Sequence, residues 1–306
     1  MSTHENTAQS RDVYQKVTDA IVSAIEQGAG SYRMPWVVRQ DKGFSPISIA
    51  TVKPYRGVNT LVLWAQSQSE GYSSALWGTY QQWQSLGGQV RKGEHGSPVV
   101  YWGTFERRDT TEDDGEERSG RHLFCKGYTV FNLEQVDGVK LPKRFDLKLS
   151  ANERIARGES FFAGVGVQVR DGGNRAFYRP DTPEVVYMPG FDQFPDRADY
   201  YSTLAHETTH WTSHASRCDR QLGKRFGDAA YAMEELIAEL GSAYTMAGLE
   251  LELTPRADHA AYINNWLKVL KSDKRAIFTA ASQAQKAADW LTQRSECSRQ
   301  VAEVAA

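Results

Sequence analysis

The sequence predicts an α+β protein in two parts. A small α+β domain comes first, and a mostly helical domain with a small antiparallel sheet follows. Three observations predict this. Apolar residues at helical spacing mark an opening helix and a long run of helices after residue 199. Two segments rich in β-branched and aromatic residues, "SPVVYWGTFERR" and "RHLFCKGYTVFNLEQV", flank an acidic turn and read as an antiparallel pair. A basic, proline-interrupted stretch, "KLPKRFDLKLS", then separates strands from helices. The expected parts are residues 1–140 and 150–306, joined by a linker over 141–149. With 306 residues, 40% of them hydrophobic, the chain can bury a core in each.

The elements follow in order. Ser10 is placed to cap the first helix, Val13, Val17, Ile21 and Ile25 share one face, and Gly28 and Gly30 end it. After an irregular stretch holding Pro35, Pro46 and Pro54, "VNTLVLWAQSQ" predicts a second helix from near Asn59. "GTYQQWQSLGG" predicts a short third helix stopped by Gly87 and Gly88. The acidic "DTTEDDGEERSG" is expected to be an exposed hairpin loop between the two long strands. Ser150 and Glu153 form a capping box that starts the second part. Strands are expected around Val165–Val169, Ala176–Tyr178 and Val185–Met188, then helices over about 199–214, 229–247, 257–271 and 274–293.

Composition excludes several classes. No run approaches the roughly 18 apolar residues of a membrane span. The polar N-terminus lacks the apolar centre of a signal peptide, so a cytoplasmic location and no membrane partner are expected. Cys125, Cys218 and Cys297 are far apart and form no CxxC pair, against both a disulfide framework and a thiolate zinc cluster. The net charge of −2 argues neither for nor against nucleic acid.

"HETTH" is the strongest chemical signal. On a helix, His206 and His210 lie one turn apart on one face and can take two corners of a tetrahedral zinc. Glu207 is placed to accept a proton from the attacking water and pass it to a leaving amine. His214 lies about 12 Å along a straight helix from His206 and cannot reach the same ion. The third ligand is expected from "YAMEELIAEL": Glu235, with Glu239 on the same face behind a histidine, and Glu234 competing for the ligand's place. Two histidines and one glutamate leave a fourth position open, as catalytic zinc sites do. Zn²⁺ is the expected cofactor, with Mn²⁺ as the alternative. Tyr201, Tyr231 and His214 are candidate oxyanion donors. "EVVYMPG" is expected to be the edge strand along which a zincin lays its substrate. A nuclease is disfavoured, because hard cations there call for several carboxylates.

The N-terminal part mixes cations with flat rings. Single-stranded nucleic acid is bound by this mixture, cations tracking phosphates and rings stacking on bases. The candidates are Arg33, Trp36, Arg39, Lys53, Tyr55, Arg56, Arg91 and Lys92. The ordinary alternative, core tryptophans and solvated cations, stays open at this point.

Longer motifs then carry a resemblance. "YRGVNTLVLW", "WGTYQQWQSLGGQVRKGEHGSPVVYW" and "VFNLEQ" resemble the N-terminal domain of ArdC-type antirestriction proteins, found also at the start of TraC-type conjugation primases. "AFYRPDTPEVVYMPG", "YYSTLAHETTHWT" and "EELIAELGSA" resemble the metallopeptidase domain joined to it, itself similar to SprT/Spartan-like proteases. The resemblance implies a plasmid-encoded protein that binds single-stranded DNA non-specifically and protects incoming conjugative DNA from host restriction. It also implies a gluzincin-like peptidase acting on a host protein, with His206 and His210 as ligands, Glu207 as acid/base and Glu235 as the downstream ligand. The alternative is a protective DNA-binding protein whose zincin domain is structural or regulatory, not catalytic.

Overall fold

In the computed structural model the chain begins with a 27-residue helix, α1 (Thr3–Ala29). The structure describes residues 3–29, 34–36, 44–110, 117–141, 149–181, 183–220, 229–253 and 260–305. Val17, Ile21 and Ile25 of α1 are fully buried, and Val13 packs beside them. Ser10 lies inside α1 rather than at its cap. A lone serine costs a helix interior less than about 0.7 kcal/mol, so it is a weak start signal.

The first sheet collects β1 (Ile47–Ser48), β2 (Leu76–Gly78), β4 (Ser97–Thr110) and β5 (Glu117–Asn132) in the order β1-β2-β5-β4. Helix α2 (Val58–Glu70) follows β1, and α3 (Tyr80–Ser85) follows β2 behind a capping box of Thr79 and Gln82. Short strands β3 (Gln89–Val90) and β6 (Val136–Asp137) pair separately. The β4–β5 ladder runs unbroken from Ser97 opposite Val130 to Thr110 opposite Glu117. It therefore enters the acidic segment expected to be all loop, because a register set at the hairpin's apolar base carries outward. The rest of that segment, 111–116, and most of the expected linker, 142–148, lie outside the described residues.

The second part opens with α4 (Ala151–Val165), capped by Ser150 and Glu153 as expected. Gly166, at φ 70°, ends it in the left-handed conformation that glycine adopts without strain. Val165 is thus helical, and strand β7 (Val169–Asp171) starts only at Val169. With β8 (Phe177–Arg179) and β9 (Val185–Met188) it forms a mixed sheet of order β7-β9-β8, β7 parallel and β8 antiparallel to β9. The strand in "EVVYMPG" is therefore central and not an edge. Val185, Val186 and Met188 are fully buried, which suits a strand paired on both sides. The antiparallel edge is β8, with Phe177 exposed and stacked on Tyr187.

Among the described residues, α5 (Arg197–Trp211), α6 (Ala229–Leu249), α7 (Ala260–Ser272) and α8 (Ala276–Ala305) follow. Helix α6 is buried over most of its length, between α5 and α8. One apolar core crosses the expected boundary between the two parts, joining Ile21, Trp36, Leu61 and Trp64 to Leu236, Leu240, Trp266 and Ile277. Polar contacts cross it too. The Thr18 hydroxyl donates to the Lys274 carbonyl at 2.8 Å, and the Tyr244 hydroxyl to that of Gly57 at 2.9 Å. No described helix is long and apolar enough to cross a membrane. The three cysteines are unpaired, Cys218 being buried and Cys297 exposed.

Candidate metal centre

Helix α5 starts at Asp196, whose carboxylate accepts from the Asp199 N–H at 2.9 Å. Its buried face carries His206, Glu207 and His210. The two intervening threonines are buried as well and satisfy their hydroxyls within the helix. Thr208 donates to the Leu204 carbonyl at 2.8 Å and Thr209 to that of Ala205 at 2.7 Å. They are small enough for α6 to come close. A Cβ on Gly241 of α6 would stand 2.5 Å from Thr209 Cγ2. Ser242 adds a hydrogen bond to the Ser202 carbonyl at 2.9 Å.

This close crossing brings the acids of α6 to the histidines of α5. Ligand atoms of His206, His210 and Glu235 all lie within 4.8 Å of one another. His206 Nε2 is 3.6 Å from Glu235 Oε2, and His210 Nε2 is 3.6 Å from Glu235 Oε1. Each Nδ1 faces a different carboxylate: Glu239 at 3.0 Å from His206, and Glu234 at 3.3 Å from His210. A carboxylate there favours a proton on Nδ1, which would free the Nε2 lone pairs for a metal. Glu234 thus faces His210 Nδ1, whereas Glu235 faces both Nε2 atoms. Arg220 holds it from behind, donating from Nη2 at 2.8 Å and Nε at 3.1 Å. The same guanidinium donates to the Thr209 carbonyl at 2.7 Å and the Thr212 hydroxyl at 2.8 Å.

The donor set fits a divalent metal. Tetrahedral ligands about 2.0–2.1 Å from zinc stand about 3.3 Å apart, close to the observed Nε2–carboxylate separations. Charge argues the same way. Among the described residues, Glu234, Glu235 and Glu239 face the two imidazoles and Arg220, an excess of negative charge that a divalent ion would offset. Burial would raise the Glu235 carboxyl, but hydrogen bonding to His206 and the nearby imidazole charges outweigh it and bring it down to about 2. Burial works likewise against Glu234, and its bonds with His210 and Arg220 leave that carboxyl below its ordinary value. Tyr231 borders Glu235 and shares a 3.3 Å contact with the Tyr262 hydroxyl. Burial first, then Tyr262 and Glu235, push its hydroxyl well above the usual phenol value.

The other candidate oxyanion donors lie elsewhere. Tyr201 is buried and stacked on Phe162, and His214 bonds Ser216 at 2.8 Å, beyond the end of α5. Sequence reasoning missed Arg220, which sits in a loop with no local pattern around it.

The candidate DNA-binding residues scatter. Arg33 and Arg39 lie outside the described residues. Trp36 is fully buried with its ring against Trp266, so no face is open to a base. Tyr55 is half-buried against the cluster of Leu63 and Trp77. Arg91 is exposed but bound to Glu94 and to the Glu134 carbonyl, both at 2.6 Å. Lys53 and Lys92 are exposed, and Arg56 is exposed beside Asp289.

Comparison with known proteins places this geometry. Residues 11–131 match the family model of the N-terminal domain of anti-restriction factor ArdC, and residues 156–283 that of a zincin-like metallopeptidase. The metal-free crystal structure of antirestriction protein ArdC from plasmid R388 superposes with TM-score 0.75 at 43% identity, over 93% of this chain and 98% of that one. The chain belongs to the ArdC antirestriction family. The Mn(II)-bound structure of the same ArdC gives TM-score 0.73 at 42% identity, over 92% of this chain and 97% of that one. The uncharacterised protein y4eC of Sinorhizobium fredii (strain NBRC 101917 / NGR234) is 48% identical over 98% of both chains. DNA primase TraC of Escherichia coli is 35% identical over 94% of this chain, which spans only 20% of the primase. The ArdC family thus supplies both halves of the chain, and its R388 member has been seen with a divalent metal.

Proposed function

We propose that this ArdC-family chain binds single-stranded DNA without sequence preference and protects incoming conjugative plasmid DNA from host restriction. We further propose that it carries a zinc-dependent peptidase acting on a host protein. One observation carries the peptidase reading: the two Nε2 atoms of His206 and His210 converge on Glu235, each ring backed by its own carboxylate. Two imidazoles and one carboxylate suit zinc. Manganese is the alternative, supported by the Mn(II)-bound relative. When bound, the metal supplies a Lewis acid that polarises the scissile carbonyl. Glu207, buried beside His206, takes the proton of the attacking water and returns it to the leaving amine. Lys53, Arg56 and Lys92 are the exposed cations offered to phosphates.

The test uses wild type and Glu207→Ala, incubated with host proteins with and without single-stranded DNA. The variant should keep the metal and lose cleavage. Absence of cleavage by wild type under every condition overturns the peptidase reading. Antirestriction that survives Glu207→Ala assigns protection to DNA binding alone. The DNA reading requires that affinity for single strands fall steeply as salt rises.

A further inference from the structure

Two cavities open along α8, one facing β4 and the start of α2, the other facing the loop before α2 and the end of α6. One, of about 770 Å³, is walled by Trp102, Phe278 and Trp290, with Arg56, Lys286 and Asp289 along it. This lies within the roughly 300–1,000 Å³ of small-ligand sites. The second, of about 520 Å³, continues past the Tyr55–Arg56 loop toward Glu296. Arg56, Gln285, Asp289 and Gln293 line both, so the two form one groove along α8, bridged by the Arg56–Asp289 ion pair.

We infer that this groove is the path of single-stranded DNA, with a base stacked on Trp102 and a phosphate held by Lys286. The inference rests on the DNA-binding reading above and deepens it, because it puts the strand against both halves of the chain. Four features argue for that occupant. Trp102 is 46% exposed, its ring meeting Tyr14 with centroids 5.8 Å apart, although the preceding Val99 and Val100 are buried. A large ring left open at a groove mouth is what a base can cover. Among the described residues the edge of β4 there takes no further strand. Asn59 instead accepts from the Val100 N–H and donates to the Val100 carbonyl, both at 2.8 Å, which keeps the groove open. The cations stand on opposite walls, Arg56 from the first part and Lys286 from α8. The ion pair across the groove is exposed on both sides and contributes little, so a phosphate can take the Arg56 guanidinium from Asp289 at small cost. The groove also explains why the buried Trp36 is not needed for stacking.

The test is fluorescence anisotropy of a labelled 12-mer of deoxythymidine with the full chain, over a range of salt. Trp102→Ala should weaken binding by roughly tenfold, the order of one lost stacked base, and Trp102→Phe should restore most of it. Lys286→Ala should lower the slope of log affinity against log salt by about 0.7, the share of one phosphate contact. The same preparations must keep the wild-type thermal midpoint, since Lys286 also donates to the Cys218 carbonyl at 3.2 Å. If wild type binds and both Trp102→Ala and Lys286→Ala bind as wild type does, the groove is not the path. If wild type itself does not bind, the DNA-binding reading falls first and this inference with it.

Discussion

Replacing Arg220 by alanine should destabilise the metal-free protein by about 3–5 kcal/mol, the cost of leaving a buried charge without its partner. The structure shows why the loss is large. The Arg220 side chain is 5% exposed and so is that of Glu234, to which it donates twice. Two further bonds, to the Thr209 carbonyl and the Thr212 hydroxyl, hold the end of α5. For 306 residues unfolding as one unit, the entropy of unfolding is about 0.6 kcal/mol per kelvin, so about 4 kcal/mol lowers the midpoint by about 6 °C. The assay is thermal unfolding in chelator, so that metal binding does not mask the change. A cycle with Glu234→Gln should return a coupling of about 2–3 kcal/mol, because the neutral amide no longer needs the guanidinium. A single-variant loss below about 1 kcal/mol, or a coupling near zero, would refute the argument that Arg220 compensates a buried carboxylate.

Three further predictions concern the same centre. Glu235→Ala should abolish tight metal binding in a competition titration, whereas Glu234→Ala and Glu239→Ala should weaken it by about 10–100-fold through loss of histidine orientation; equal effects from all three would remove the distinction drawn between them. Gly241→Ala should cost about 1–3 kcal/mol and weaken metal binding, since the added methyl meets Thr209 and forces the two helices apart; unchanged stability would show that α6 moves freely. In the metal-free protein the Glu235 carboxyl is held at about 2, below its unfolded value, so its contribution is complete above about pH 4.5 and disappears as pH falls toward 2. Acid unfolding followed by circular dichroism should therefore flatten in Glu235→Gln over that window, and identical acid profiles for the two proteins would contradict it.

Much of this was legible in the sequence where interactions are local. Ser150 with Glu153 caps its helix because a cap and its partner are three residues apart. The pair His206 and His210 is readable for the same reason, since four residues return to one face of a helix. Illegible features depend on contacts between distant segments. Trp36 and Tyr55 looked like stacking residues, and whether a ring faces solvent or Trp266 is decided 230 positions away along the chain. Trp102 was only one aromatic among many until its strand edge was set beside α8.

The sequence by itself determined the ArdC-type order of segments, the helix bearing His206, Glu207 and His210, and a second helix rich in acids. Tertiary structure decided which nitrogen each acid faces. Glu234 and Glu235 are neighbours, about 100° apart around α6, and no local rule tells which one faces the Nε2 atoms. The rotation of α6 against α5 settles it, set by the Gly241–Thr209 approach and by Arg220 reaching Glu234 from a loop. Those are packing and charge-pairing constraints between segments far apart in the chain, and they exist only once the helices have crossed.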